Sequence, residues 1–438
     1  MSDLAEYVVL SERRSGGYTM DSYKNQGVHY SWKIVLGSFI MMALLHSMLQ
    51  TCFSLFMTSV TKEMSISQTA FSGCSSIVAI ATMLMAPQMG KMMASGHRMK
   101  RLIVLCIVGM GLSYASYSLA GSIVHMYISA AFVGIFSCGA TILPITLIIT
   151  NWFYKRRDLA LGIAFAGSGI GGSVISPLLT EFISLHGWRN SFVLFGILMI
   201  VIEVPVVMFI IYQNPEDRET VPYGLADNEK NSCLQKGLSL NELKKHPFFY
   251  IYLIGIFSIC IAGYGSLGYL SASLTDSYSV ELANAIIPFF LFILTPAKIF
   301  LGWVYDCVSV RMGTIYVTVT YTIAFLLLQI PNNEALMWIM AVFFAFGISA
   351  GTVIPSVITA DLFGTQDYGA LFGVVYAVCM CAMAVGNPLL AVIYDLTASY
   401  NLAWSACMTL CVLSGVCIVY TDIAYKQYLN GRGSSLTS

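Results

Sequence analysis

Charge is what this sequence has least of. Asp, Glu, Lys and Arg make up 10% of its 438 residues, against about 25% in an ordinary soluble domain. With 57% hydrophobic residues and a mean hydropathy of +0.76, that scarcity excludes a water-soluble globule and predicts an integral membrane protein of many spans. The formal net charge is zero, so nothing suggests a nucleic-acid partner. CxxC spacing is missing, the His residues are isolated, and most of the 12 Cys sit in apolar runs. Free thiols are expected, without disulfides or a metal centre. No nucleophile–base set is visible, which argues against an enzyme, and no cofactor is implied. The first 33 residues are polar and mixed in charge, unlike a secretory signal.

What is present is apolar length. A span needs about 20 apolar residues, and twelve stretches qualify: about 34–60, 68–92, 102–120, 123–150, 159–184, 190–212, 247–274, 282–305, 313–331, 335–360, 368–396 and 401–424. Basic residues sort the loops. Lys91, Arg98, Lys100 and Arg101 lie between spans 2 and 3, and Lys155, Arg156 and Arg157 between spans 4 and 5. The positive-inside rule makes these loops, and both termini, cytoplasmic. The loop between spans 10 and 11 holds only Asp361 and Asp367 and does not bear on orientation. The expected organisation is a cytoplasmic tail at 1–33, six-helix bundles at 34–212 and 247–425, a cytoplasmic linker at 213–246 and a tail at 426–438. The linker, with Lys230, Lys236 and other charges, reads as a solvated tether. A plasma (inner) membrane location and a functional monomer are expected.

The halves repeat in register. Gly162 through Pro177-Leu-Leu matches Gly373 through Pro388-Leu-Leu, and Pro144 matches Pro355, both at an offset of 211. Asn190 and Asn401 keep that offset, and Gly90 and Gly302 are 212 apart. The fold class expected is therefore all-α, with twelve transmembrane helices in two six-helix parallel pseudo-repeats. This is the major facilitator arrangement, whose substrate site lies between the halves.

One basic residue lies deep in a predicted span: Lys298, in the apolar run Ile286–Gly302. A cation there costs about 2.5–3.5 kcal/mol on insertion scales, so an anion is expected to meet it. The competing reading, a side chain that snorkels to the surface, needs a long reach, because Asp306 is eight residues away. His46 and Gln50 lie four apart on one face of span 1 and are candidates to donate to a carboxylate or to titrate. Tyr264 and Tyr376 are candidate hydroxyl donors, with core packing as the alternative. Gly263 and Gly265 weaken span 7, a candidate outer gate. Glu203 and Glu181 are acids at membrane depth. For Glu203 a neutral or internally bonded carboxyl is preferred to a proton carrier.

Asn151-Trp-Phe-Tyr-Lys-Arg-Arg-Asp-Leu-Ala-Leu-Gly-Ile-Ala-Phe-Ala-Gly167-Ser resembles the junction of spans 4 and 5 in monocarboxylate transporters and the related oxalate:formate antiporters. Gly187-Trp-Arg-Asn-Ser-Phe192 and Ser31-Trp-Lys-Ile-Val-Leu-Gly37 are similar to both. Asn214-Pro-Glu, Pro222-Tyr-Gly224 and Tyr368-Gly-Ala-Leu-Phe-Gly373 resemble the bacterial antiporter branch. The superfamily's loop signature is incomplete after span 2 and better kept after span 8, as Gly302, Asp306 and Arg311. Asp306 and Arg311 are thereby candidates for an inner latch.

The resemblance implies that a basic residue in span 8, preceded by Ala and followed by Gly, binds the carboxylate. Ala297-Lys298 with Gly302 fits, with Lys in place of Arg. Relatives place an acid at the position of Leu294, a Lys at that of Gln50, or a second cation at that of Cys379. The function implied is a secondary transporter of a small organic monocarboxylate, by anion exchange or proton symport. An exporter of amphipathic compounds is the alternative, and a transport-derived sensor a remoter one.

Overall fold

The computed structural model describes residues 29–95, 99–225, 237–330, 333–397 and 399–435. Arg98, Lys230, Lys236 and most of the 1–33 tail lie outside the described residues. The described chain is helical, apart from two isolated bridges. In order the long helices are α1 Tyr30–Met64, α2 Gln68–Ala94, α3 Met99–Leu119, α4 Ile123–Trp152, α5 157–186, α6 188–209, α7 Pro247–Ser277, α8 Val280–Cys307, α9 Val310–Leu328, α10 Glu334–Phe363, α11 Tyr368–Thr397 and α12 Tyr400–Ser435.

Apolar helices satisfy their own backbone groups, as hydrocarbon requires, and side chains cap several first turns. Ser67, Ser122, Ser279, Ser309 and Asn333 accept from N–H groups that begin α2, α4, α8, α9 and α10. α5 and α6 form one unbroken run of 53 residues except at Gly187, where φ is +78°. A straight helix of that length would measure about 80 Å, far beyond a hydrocarbon core of about 30 Å. The run doubles back at Gly187 instead. Its far end returns beside the start of α1, where Tyr30 Oη donates to the Ile210 carbonyl at 3.0 Å and Trp152 Nε1 to that of Tyr212 at 2.7 Å. Among the described residues, eleven apolar runs thus give twelve helices long enough to cross a bilayer. We call the end holding Tyr30, Trp152 and Tyr212 the basal end.

The two halves meet most closely through α2 on α11 and α5 on α8. The repeated glycines meet each other there. A Cβ on Gly162 would sit 2.6 Å from the Lys298 carbonyl oxygen and 3.3 Å from Gly302 Cα. A Cβ on Gly373 would sit 2.7 Å from the Ala86 carbonyl oxygen and 3.3 Å from Gly90 Cα. The same contact is made twice, once by each repeat. α4 breaks at 139–141 and α10 at Ser349, each just before its repeated proline, Pro144 or Pro355.

The linker is more than a tether. Tyr223 pairs with the backbone at 152–155, Gly237 bridges to Gly364, and the N–H of Leu240 donates to Asp367 at 3.2 Å. Leu238, Leu240 and Leu243 are buried, so apolar side chains dock this segment under the second half. α12 continues through Ser435, past 425. Glu181 is exposed in the last turns of α5 before Gly187 rather than deep in the bilayer.

Candidate functional site

A cavity of about 90 Å³ lies between the halves. Roughly 10–15 Å³ suffices for one water, so the space admits a small organic molecule. The first half supplies His46, Gln50 and Thr51 from α1 and Ser168, Gly169, Gly172 and Ser173 from α5. The second supplies Gly263, Tyr264 and Leu267 from α7, Leu291, Leu294 and Lys298 from α8, and Ile348, Gly351 and Thr352 from α10. No Asp or Glu is among these lining residues.

Local backbone irregularity places the α1 side chains. Residues Met42–His46 form a π turn, and the helix loosens again into a 3-10 stretch at Phe53–Phe56. Such turns inside helices recur at functional positions. The Ser47 hydroxyl, donating to the Ser168 carbonyl at 2.9 Å, ties this segment to α5. Among the described residues, Gln50 Nε2 has only the Met383 sulfur, at 3.4 Å, as a partner. A thioether is a weak acceptor, which leaves the amide available to a ligand.

Lys298 is 4% exposed, and its ammonium stays within the protein rather than snorkelling. Nζ donates to Ser168 Oγ at 2.7 Å and, at a longer 3.4 Å, to the Phe165 carbonyl. Both partners belong to the opposite half. Among the described residues it makes no ion pair. The sequence did not single out Ser168, although it is the last residue of the span 4–5 motif. Proximity across the halves is invisible in one dimension.

Of the candidates read from sequence, Lys298, His46, Gln50, Tyr264 and Gly263 are brought together here. Tyr376 is not among the lining residues; it is buried and stacks on Phe372. Gly265 lies against Gly386 of α11, and α7 is helical throughout its glycines.

Asp306 and Arg311 go separate ways. Asp306 accepts from the N–H groups of Asp158 and Leu159, at 3.3 and 2.9 Å, at the first turn of α5. A carboxylate is favourable at a helix N-terminus, so this contact joins the halves at the basal end. Arg311 instead pairs with Asp422 of α12 at 2.7 Å, within its own half. The basal ion pair that the sequence did not reveal is Arg157 with Asp361, with Asp158 at 3.1 Å from the same guanidinium. Glu203 is fully buried in α6, and neither carboxyl oxygen finds a partner among the described residues.

Twelve apolar helices in two like halves, enclosing a largely apolar cavity with a buried cation, are the arrangement of a membrane transporter. A family model described as "Major Facilitator Superfamily" matches residues 39–356, and the chain belongs to that superfamily. Monocarboxylate transporter 1 of Bos taurus is 24% identical over 422 residues, covering 88% of this chain and 83% of the relative. Among solved structures, the human organic anion transporter MFSD10 (TETRAN) has a TM-score of 0.67 at 13% identity, covering 89% of this chain and 99% of its own. The E. coli fucose:proton symporter FucP has a TM-score of 0.65 at 12% identity, covering 89% and 97%. These two structures share the fold.

Proposed function

We propose that this protein is a secondary transporter of a small organic monocarboxylate, working by alternating access, with Lys298 as the charge that binds the carboxylate. The observation that carries the reading is Lys298 itself: buried, facing a cavity between the halves, and without an acidic neighbour in that cavity. An uncompensated cation in a low-dielectric cavity attracts one negative charge strongly. A monoanion neutralises it, whereas a dianion leaves a charge unpaired. Gln50, Tyr264 and His46 supply further polar contacts, and Leu291, Leu294 and Ile348 an apolar wall for a short carbon chain.

The basic loops support a cytoplasmic basal end. The Arg157–Asp361 pair and the Asp306 contact then hold the halves together on the cytoplasmic side, and rocking of α1–α6 against α7–α12 breaks them. The distant relationship to monocarboxylate transporter 1 supports the substrate class.

The test is uptake of labelled monocarboxylates into liposomes carrying the purified protein. Lys298→Ala and Lys298→Gln are expected to reduce uptake to the level of protein-free vesicles while the protein still elutes as a folded monomer. Normal uptake by either variant sinks the reading. The apolar wall favours one second reading, export of amphipathic compounds. Competition by neutral hydrophobic compounds, equal in wild type and Lys298→Ala, would select it.

A further inference from the structure

Away from the cavity, three cations converge at the basal end of the first half. Arg218 closes the short turn Pro215–Arg218 that follows α6. Its guanidinium lies over two rings, 4.4 Å from the centre of Tyr212 and 4.9 Å from that of Tyr30. Lys100, in the first turn of α3, brings Nζ to 4.3 Å from the same Tyr212 ring. Lys33 of α1 has Nζ 5.5 Å from the Tyr30 ring. The two tyrosines meet edge to face, with centres 5.9 Å apart. Three segments far apart in sequence thus each deliver one positive charge to one pair of rings.

A cation–π contact at an exposed site is weak, and like charges this close repel. No carboxylate offsets the repulsion: among the described residues none of the three cations makes an ion pair. Asp217 is next to Arg218, but its carboxylate accepts from the N–H of Asn214 at 3.1 Å and closes its own turn. Lys100 Nζ donates to the Met208 carbonyl, which leaves two of its three N–H groups.

What lies beside the charges is apolar and uncovered. Lys33 and Leu36, three apart, share one exposed face of α1, and Arg101 and Leu105, four apart, share one of α3. α6 ends in Met208 and Phe209, both exposed, Phe209 by 74%. Cations and tyrosines at the edge of exposed hydrocarbon are the profile of a membrane interface, where basic residues attract anionic headgroups. A free anion would use the charges and leave the apolar side chains unused.

We propose that this cluster binds the headgroup of an anionic phospholipid in the leaflet at the basal end. Lys33, Lys100 and Arg218 surround the phosphate, and the acyl chains run along Leu36 and Phe209. The lipid then joins the first turns of α1 and α3 to the segment leaving α6, and so fixes the start of the linker to the first half. The site is separate from the cavity and independent of what the cavity carries.

The test uses the full chain in detergent with phosphatidylcholine alone or with phosphatidylglycerol added, read by native mass spectrometry and by thermal melts. Wild type is expected to retain one phosphatidylglycerol and to melt higher with it. Retention is expected to fall about fivefold for each charge removed, roughly thirtyfold in Lys100→Gln with Arg218→Gln. Lys91→Gln with Lys155→Gln removes two exposed charges from the same end of the molecule and is expected to retain the lipid as wild type does.

Wild type that holds phosphatidylglycerol no better than phosphatidylcholine overturns the proposal. Equal losses in the two double variants overturn it too, since the attraction would then be diffuse. Inorganic phosphate that raises the melting temperature as much as phosphatidylglycerol does would replace the lipid with a free anion. If Lys100→Gln with Arg218→Gln does not fold, Lys33→Gln decides: a loss of about fivefold is expected, and full retention overturns the proposal.

Discussion

Lys298 and Glu203 are both ionisable side chains buried in apolar helices, and their surroundings separate them. Lys298 faces a cavity and has partners across the halves. Glu203 faces neither the cavity nor a hydrogen-bond partner among the described residues. A buried polar group without a partner costs about 1–3 kcal/mol, so it is destabilising in its present place. Glu203→Met is expected to stabilise the protein by about that amount, read as a higher melting temperature in detergent, with uptake of the proposed monocarboxylate within twofold of wild type. A variant that melts higher but no longer transports would give Glu203 a part in the cycle. The contrast also shows why burial of a charge in the sequence is an incomplete signal: both residues sit at membrane depth, and only what surrounds them tells them apart.

Two glycines decide how neighbouring helices are arranged. At Gly187 a positive φ lets α5 turn back into α6, and beyond its own chain neighbours and helix backbone no described atom lies within 4 Å of an added Cβ. The penalty for a side chain there is therefore backbone strain alone, and Gly187→Ala is expected to lose about 1–3 kcal/mol of stability. At Gly162 the backbone is helical and the obstacle is the Lys298 carbonyl, 2.6 Å from an added Cβ. Gly162→Ala is expected to force α5 and α8 apart, destabilise by about 1–3 kcal/mol, and lower uptake by displacing the turn that carries Lys298. Thermal melts with parallel uptake assays separate the cases. Gly187→Ala should lose stability with uptake per folded molecule retained, and Gly162→Ala should lose both. Equal uptake in the two would contradict the role given to the α5–α8 contact.

Across the whole molecule, the basal end is fastened between the halves by the Arg157–Asp361 pair and by Asp306 on the first turn of α5. Removing a charge from this fastening should favour the arrangement that is open at the basal end. In Arg157→Ala, spin labels at Lys155 and Thr365 are expected to show a longer and broader distance distribution than in wild type, by several ångströms, as rigid-body rocking of the halves requires. The charge-swapped pair Arg157→Asp with Asp361→Arg should restore the shorter distance in part. An unchanged distribution in Arg157→Ala would show that the pair does not hold this end closed.

The number of spans, their grouping into two repeats and the depth of Lys298 follow from the sequence alone. Each rests on local quantities: the length of an apolar run, the spacing of Gly and Pro, the transfer cost of a charge. His46 and Gln50 were legible for the same reason, since helical spacing puts residues four apart on one face. Tertiary structure decided what faces what. It brought Gly162 to Gly302 and Gly90 to Gly373, set Ser168 against Lys298, paired Arg157 with Asp361 and Arg311 with Asp422, and kept Tyr376 away from the cavity. Those outcomes depend on how helices distant in sequence rotate and pack. Rotation about a helix axis is chosen by the summed contacts of both partners, a quantity that no single stretch of chain contains.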